Sequence, residues 1–277
     1  MFNTIYKSGN RRTGLSLKPS TLYKIKNVIS KGLNQAVINR YIPENPAKGL
    51  VLPSLNDPII KFFTPDELKL FSNSLISDSF GLLIAILLET GLRIGELLAL
   101  ELNDIDFHEK VISINKSVSY VKNKMTNKTE FIVNSPKTKN SIRRIHIMPR
   151  LEVLLRKQIG ILQATEEKRD RRLISEQLLF PSENGNYLSR NTIRKRFIKL
   201  QKELDIAEVK NIHALRHTYV INALNAGVSV QNLCHIIGHS NGAITLRLYA
   251  HYIHTEAYTQ LLELDKFYDR IFEINVA

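Results

Sequence analysis

The sequence predicts a mainly α-helical protein with a small antiparallel β-sheet, its larger part preceded by a short basic helical module. Three observations carry that expectation. Apolar residues recur every three to four positions in successive segments on both sides of the chain's middle. Four short β-like runs cluster between residues 111 and 147. The run from Pro46 to Pro58, with Gly49, Pro53 and Asn56 inside it, reads as an extended linker between unequal parts.

Composition supports folding and narrows the class. The 277 residues are 43% apolar and 23% charged, which is ordinary for globular chains and argues against wholesale disorder. The formal charge of +13 favours a polyanionic partner, because neutralised phosphates release condensed counterions; a need for solubility would account for it as well. That charge is uneven. Residues 1–58 hold nine basic side chains (Lys7, Arg11, Arg12, Lys18, Lys24, Lys26, Lys31, Arg40, Lys48) against Glu44 and Asp57, a net of +7. A single cysteine, Cys234, excludes an intramolecular disulfide and sits in an apolar helical pattern where a buried thiol is expected. No stretch approaches the roughly 18 apolar residues that cross a bilayer, and Met1-Phe2-Asn3 opens no signal peptide, so the chain reads as soluble and intracellular.

The elements follow in order. Leu22, Ile25, Val28, Ile29, Leu33, Ala36 and Val37 mark an amphipathic helix of about 20 residues begun at Pro19-Ser20, with Lys24, Lys26 and Lys31 among its polar positions. Thr64-Pro65-Asp66-Glu67 is a helix start: Thr64 caps, Pro65 takes the first position and Glu67 completes a capping box. Phe80 to Leu88 is apolar all round, a core helix broken by Gly91, after which a new turn opens at Leu92–Glu96. Val111–Ile114, Ser117–Val121, Glu130–Val133 and Arg143–Ile147 predict one small sheet; in the last run Ile145 and Ile147 face one way, Arg144 and His146 the other. A charged helix is expected around Leu151–Arg172, then an apolar entry at Leu178–Pro181 to a turn. Helices are expected at about 190–204, 212–225 and 230–237, with a short one from Ile244 leading to a last one at Glu256–Ile271.

Three segments carry chemistry. In Thr90-Gly91-Leu92-Arg93-Ile94-Gly95-Glu96-Leu97, Glu96 at i+3 can hold the Arg93 guanidinium, which presents two N–H groups to adjacent phosphate oxygens. Taken alone, the segment fits a structural Arg–Glu pair better. In His213-Ala214-Leu215-Arg216-His217, His213 and Arg216 share a helical face and can approach one phosphate. The i, i+4 pair His213 and His217 invites a zinc reading, but no acid accompanies it as in a His-Glu-x-x-His site. In Gly238-His239-Ser240, a histidine follows a glycine break, and Tyr249 comes ten residues later.

Together these fragments resemble the tyrosine recombinase (phage-type integrase) family, and in particular the integrases of conjugative transposons. The likeness covers roughly residues 15–260. The family's first catalytic arginine, in Thr-Gly-Leu-Arg-x-x-Glu-Leu, falls on Arg93, with Glu96 supporting it. Its lysine, in a hairpin before a basic strand, falls on Lys137 in Ser135-Pro136-Lys137-Thr138-Lys139, with Lys139 as the competitor. His-x-x-Arg falls on His213 and Arg216, Gly-His-Ser on His239, and the nucleophile on Tyr249. The resemblance implies a tyrosine recombinase catalytic-domain fold at 61–277, a linker at 51–60, and a partial helical core-binding clamp at 1–50 where relatives carry about four helices.

It also implies a reaction. Tyr249 attacks the scissile phosphate, leaving a covalent 3′-phosphotyrosyl link and a free 5′-hydroxyl. Arg93 and Arg216 clamp the non-bridging oxygens, His213 accepts the nucleophile's proton, Lys137 protonates the leaving oxygen, and His239 donates to a phosphate oxygen. No cofactor or metal is called for. The implied partner is double-stranded DNA carrying recombination sites, bound by a tetramer on paired sites, with C-terminal helix exchange and an accessory DNA-bending protein. His217, like Glu96, supports the catalytic set, and the candidates for DNA contact are Arg11, Arg12, Lys24, Lys31, Lys139 and Arg143. The setting implied is a bacterial cytoplasm, on the nucleoid when acting. The 44 residues from Arg93 to Lys137 favour an integrase of a mobile element. The competing reading is a DNA-binding or assembly protein of the same fold without full activity; a metal nuclease or relaxase is a further rival.

Overall fold

The computed structural model describes residues 16–54, 59–71, 74–123, 125–126, 129–134, 142–174, 176–238, 242 and 249. The chain divides into two compact units, Met1–Ile59 and Ile60–Ala277.

In the first unit, helix α1 (Pro19–Ile38) starts with proline at its first turn, where a missing N–H costs nothing. Leu22 is buried and Ile25, Ile29, Leu33, Ala36 and Val37 are half-buried, so the expected stripe is present. Val28, counted in that stripe, is instead 72% exposed: it lies off the face that Leu22 and Ile29 define. Lys24 and Lys31 are exposed. Asn45 donates to the Ser30 carbonyl (3.2 Å) and to Asn34 Oδ1 (2.6 Å), and Lys26 Nζ donates to the Leu50 carbonyl (2.7 Å). The first residues of the expected extended linker are therefore a turn, Pro46–Gly49, folded back on α1, with Gly49 at φ +82°.

The second unit opens with α2 (Pro65–Phe71), whose capping box forms as expected: Thr64 N–H to Glu67 Oε2 at 2.9 Å, Glu67 N–H to Thr64 Oγ1 at 3.3 Å. Helix α3 (Ser79–Thr90) is capped by Asp78, which accepts from the Gly81 N–H (2.7 Å). Residues Leu82 to Leu87 are buried, because α3 packs between α5 (Pro149–Glu167) and α7 (His213–Asn225). A short helix α4 (Ile94–Leu97) and a 3-10 turn (Leu102–Asp104) lead to the strands.

Among the described residues the strands form two antiparallel sheets where one was expected. β1 (Ile105–Asp106), β2 (Val111–Ile114) and β5 (Arg143–His146) make an antiparallel sheet in the order β1-β2-β5, with Ile112 opposite Ile145 and Ile114 opposite Arg143. Among the described residues β3 (Ser117–Lys122) and β4 (Thr129–Asn134) pair with each other, Ser117 against Asn134 through Lys122 against Thr129. β1 is two residues long, too short for any alternation to mark it. Helix α5 ends at Glu167 rather than near Arg172, and Asp170 in the turn beyond has φ +55°. Helices α6 (Arg190–Glu203), α7 and α8 (Val230–Ile237) complete the unit. The core runs from the Phe63, Phe71 and Phe197 rings through α3 to the buried faces of the sheet and α5. The expected helices from Ile244 and at Glu256–Ile271 lie outside the described residues.

Candidate active site

The end of α3 sets the first part of the site. Gly91 closes the helix at φ +61°, a left-handed conformation that glycine adopts without a Cβ penalty. A Cβ there would lie 2.4 Å from Tyr219 Cδ1, so α7 crosses close against it. The Gly91 carbonyl accepts from Arg216 Nη1 (2.7 Å), and two residues on Arg93 becomes the N-cap of α4.

Glu96, on α4, gathers the cations as its i+3 spacing from Arg93 predicts. It accepts from the Arg93 backbone N–H (2.9 Å) and from Arg93 Nη1 (2.9 Å). It also accepts from Arg143 Nη2 (2.9 Å) and Nη1 (3.2 Å). Burial pushes the Glu96 carboxyl up, but the hydrogen bonds and charges of Arg143 and then Arg93 outweigh it and hold the group below the usual carboxylate range.

Helix α7 brings His213, Arg216 and His217 onto adjoining turns. Arg216 is buried and also donates Nη2 to the Ile237 carbonyl at the end of α8 (2.6 Å). Burial, followed by the charge of Arg93, pushes its guanidinium down to about 9, which leaves it charged at neutral pH. The His213 and His217 rings meet edge to face at 4.7 Å. Desolvation of its ring, then the charges of Arg216, Arg93 and Arg190, push the His213 imidazole below its ordinary range, favouring the neutral base.

Tyr249 returns to this face. It is buried among Val220, Ile221, Leu224, Leu233 and Ile237, and its hydroxyl lies 2.5 Å from His217 Nδ1. Burial pushes the phenol up to about 12, with Arg216 pulling the other way. The group is therefore a neutral phenol at physiological pH with an imidazole nitrogen positioned to take or share its proton. Arg216 acts on this phenol electrostatically and Arg93 lies near Arg216, so guanidinium charge is at hand to stabilise developing charge on oxygen.

The structure thus brings together Arg93, Glu96, His213, Arg216, His217 and Tyr249. Lys137, Lys139, His239, Arg11 and Arg12 lie outside the described residues. Two expectations change. His213 was expected to meet the nucleophile's proton, whereas His217, one turn further along α7, is the residue in contact with Tyr249. Arg143 was expected on the DNA-facing surface, but its side chain is fully buried against Glu96. The signal was present: Arg143 shares the parity of Ile145 and Ile147, so the alternation that buries them buries it too.

Sequence reasoning also passed over Arg190 and Arg194. They are exposed, one turn apart on α6, and line a cavity of about 550 Å³ with Tyr120, Phe131, Asn211 and His213. Among the described residues no group of three or more His, Cys, Asp and Glu side chains is placed to hold a metal ion, and no helix is long and apolar enough to cross a membrane. Cys234 is buried.

Known proteins resemble this chain in sequence and in fold. The phage integrase family model matches residues 61–256. The chain is 28% identical over 270 residues to a XerC-like tyrosine recombinase of Caldanaerobacter subterraneus subsp. tengcongensis, covering 91% of this chain and 66% of that protein. It is 29% identical over 258 residues to the ICEBs1 integrase of Bacillus subtilis, covering 90% and 65%. The chain therefore spans just under two thirds of the length of these relatives. The solved structure of the Tn1549 transposon integrase in complex with transposon right end DNA matches with a TM-score of 0.69 at 25% identity, over 90% of this chain and 80% of that one. With its helical fold, its small antiparallel sheets and a match over most of its length, the chain belongs to the phage integrase family, the tyrosine recombinases.

Proposed function

We propose that this chain performs site-specific DNA recombination, cutting and rejoining strands through a covalent 3′-phosphotyrosyl intermediate at Tyr249, in the integration and excision of a mobile element. One observation carries the reading: the Tyr249 hydroxyl is hydrogen-bonded to His217 beside the buried Arg216, with Arg93 on the same helix end. The relatives' names and the DNA in the Tn1549 complex support duplex DNA as the substrate.

The step balances without an external energy source. Tyr249 Oη forms a bond to phosphorus, the phosphorus–O5′ bond breaks, and the phenolic proton passes to His217 as the nucleophile forms. Lys137 supplies a proton to the departing 5′-oxygen, and His239 donates to a non-bridging oxygen. A 5′-hydroxyl from another strand reverses the sequence and restores the phosphodiester. Arg93 and Arg216 neutralise the phosphorane oxygens, for which two charged guanidiniums are suited in number and shape. Exposed Lys24 and Lys31 on α1, and exposed Arg190 and Arg194 on α6, contact phosphates of the DNA backbone. The acting form is a homotetramer on two paired sites, joined by exchange of the C-terminal helix and assisted by a DNA-bending protein.

The test uses a pool of nicked duplexes with randomised sequence, in which cleavage near the nick releases a short strand and traps the enzyme. The full chain should form a detergent-resistant protein–DNA adduct that selects its own site from the pool. Tyr249→Phe should bind the selected duplex and form none. Binding without any adduct in the wild-type chain would favour the other reading, a DNA-binding protein of this fold, which the burial of Tyr249 makes a concrete rival.

A further inference from the structure

Three arginines meet three successive carbonyls at the end of α8. Arg143 Nε donates to Ile236 (2.6 Å), Arg216 Nη2 to Ile237 (2.6 Å) and Arg93 Nη2 to Gly238 (3.3 Å). Carbonyls in a helix's last turn lack intrahelical donors and carry the negative end of the helix dipole, so cations are stabilised there. Arg93 and Arg216 belong to the site already described. Arg143 does not: its side chain has no exposed surface, and it cannot reach a DNA phosphate from where it lies.

Its contacts run elsewhere. While Nε holds the end of α8, Nη1 and Nη2 fork across both oxygens of Glu96, the carboxylate that also holds Arg93. The backbone of Arg143 is fixed by its pairing with Ile114 in the three-stranded sheet. A Cβ on Gly238 would come within 3.1 Å of Arg143 Nη1, so Gly238 is packed directly on this guanidinium. One buried side chain therefore ties a strand, the Arg93 carboxylate partner and the helix end together.

We propose that Arg143 is a positioning residue of the recombination site, locking Glu96 to the end of α8 and thereby fixing Arg93. The inference rests on the proposed reaction for its kinetic consequence, though not for its geometry. Lysine in its place keeps the charge but has a single nitrogen, which cannot fork a carboxylate and reach a carbonyl at the same time. The Glu96 carboxylate would then be free to swing, and Arg93 with it. A displacement of about 1 Å in a group that clamps the reacting phosphate costs on the order of 100-fold in rate.

The experiment compares full-length Arg143→Lys, Arg143→Gln and Arg144→Gln, the last removing an exposed charge from the same strand. On the trapped nicked duplex, Arg143→Lys should bind within about threefold of wild type yet form adduct about 100-fold more slowly. Arg144→Gln should cleave at close to the wild-type rate. A purely structural residue would lower thermal stability without separating cleavage from binding, so wild-type cleavage by folded Arg143→Lys overturns the proposal.

A second measurement does not depend on cleavage. In nitrogen-15 spectra, with Arg93→Lys identifying the signals, the Arg93 Nη groups should be separately resolved in wild type and Arg144→Gln because their rotation is restrained. They should average together in Arg143→Lys, and in Arg143→Gln if it folds. Unchanged Arg93 signals overturn the proposal. Absence of any adduct in the wild-type chain defeats the reaction, while these spectra still decide the role of Arg143.

Discussion

Replacing Glu96 with glutamine removes a negative charge from between two guanidiniums while leaving the side chain's shape unchanged. The carboxylate receives four donors: the Arg93 backbone N–H, Arg93 Nη1 and both Arg143 Nη groups, at 2.9 to 3.2 Å. Glutamine has one accepting oxygen, and its amide nitrogen must face at least one of those donors. Breaking a buried ion pair by removing one partner costs about 3–5 kcal/mol. The Arg93 side chain is 42% exposed and recovers part of its hydration, so the lower end, about 3 kcal/mol, is expected for Glu96→Gln. Urea denaturation at pH 7 measures it. The sign with pH follows from the depressed carboxyl: its contribution is present above the unfolded value of about 4.3 and is lost as pH falls through the lower folded value. The stability gap between wild type and variant should therefore be full at pH 7 and narrow progressively as pH falls below about 4.3, toward the acid pH at which the wild-type carboxylate is itself protonated. A gap that keeps the same size as pH falls would refute the reasoning.

Gly91→Ala should lose about 1–2 kcal/mol to its left-handed backbone and more to the Tyr219 ring 2.4 Å away. Gly185→Ala, at φ +79° with nothing within 4 Å of its Cβ, should show the backbone cost alone; equal losses in the two would mean that Tyr219 moves aside freely. Ultraviolet difference titration of wild type against Tyr249→Phe should reveal one phenol ionising at about 12. Its raised value makes a contribution to stability that is intact below about pH 10 and lost as pH rises toward 12; a midpoint near 10 would contradict its burial. Lys137→Ala should slow cleavage far more than Lys139→Ala, and a 5′-bridging phosphorothiolate, whose sulfur leaves without protonation, should rescue the first. Rescue of Lys139→Ala instead would move the general acid to that residue.

Much of the fold was legible because local physics decided it. The capping box at Thr64, the left-handed stop at Gly91 and the helix boundaries near His213 and Ile237 follow from propensity and spacing alone. What sequence could not supply was the pairing of distant elements. Four β-like runs look alike along the chain, and only tertiary packing divides them into a three-stranded sheet and a separate hairpin. The choice between His213 and His217 was hidden for the same reason: both lie on one side of α7, and which meets Tyr249 depends on where residue 249 returns in space. Arg143 was misread differently. An arginine next to Arg144 in a basic run suggests a surface, yet strand alternation overrides composition when a carboxylate waits on the inner face.

The most direct test of the account is to digest the trapped protein–DNA adduct and identify the modified residue by mass spectrometry. A nucleotide attached through the phenolic oxygen of Tyr249, joined at the 3′ end of the cut strand, is the predicted result. Attachment at any other side chain, or through a 5′ phosphate, would contradict it.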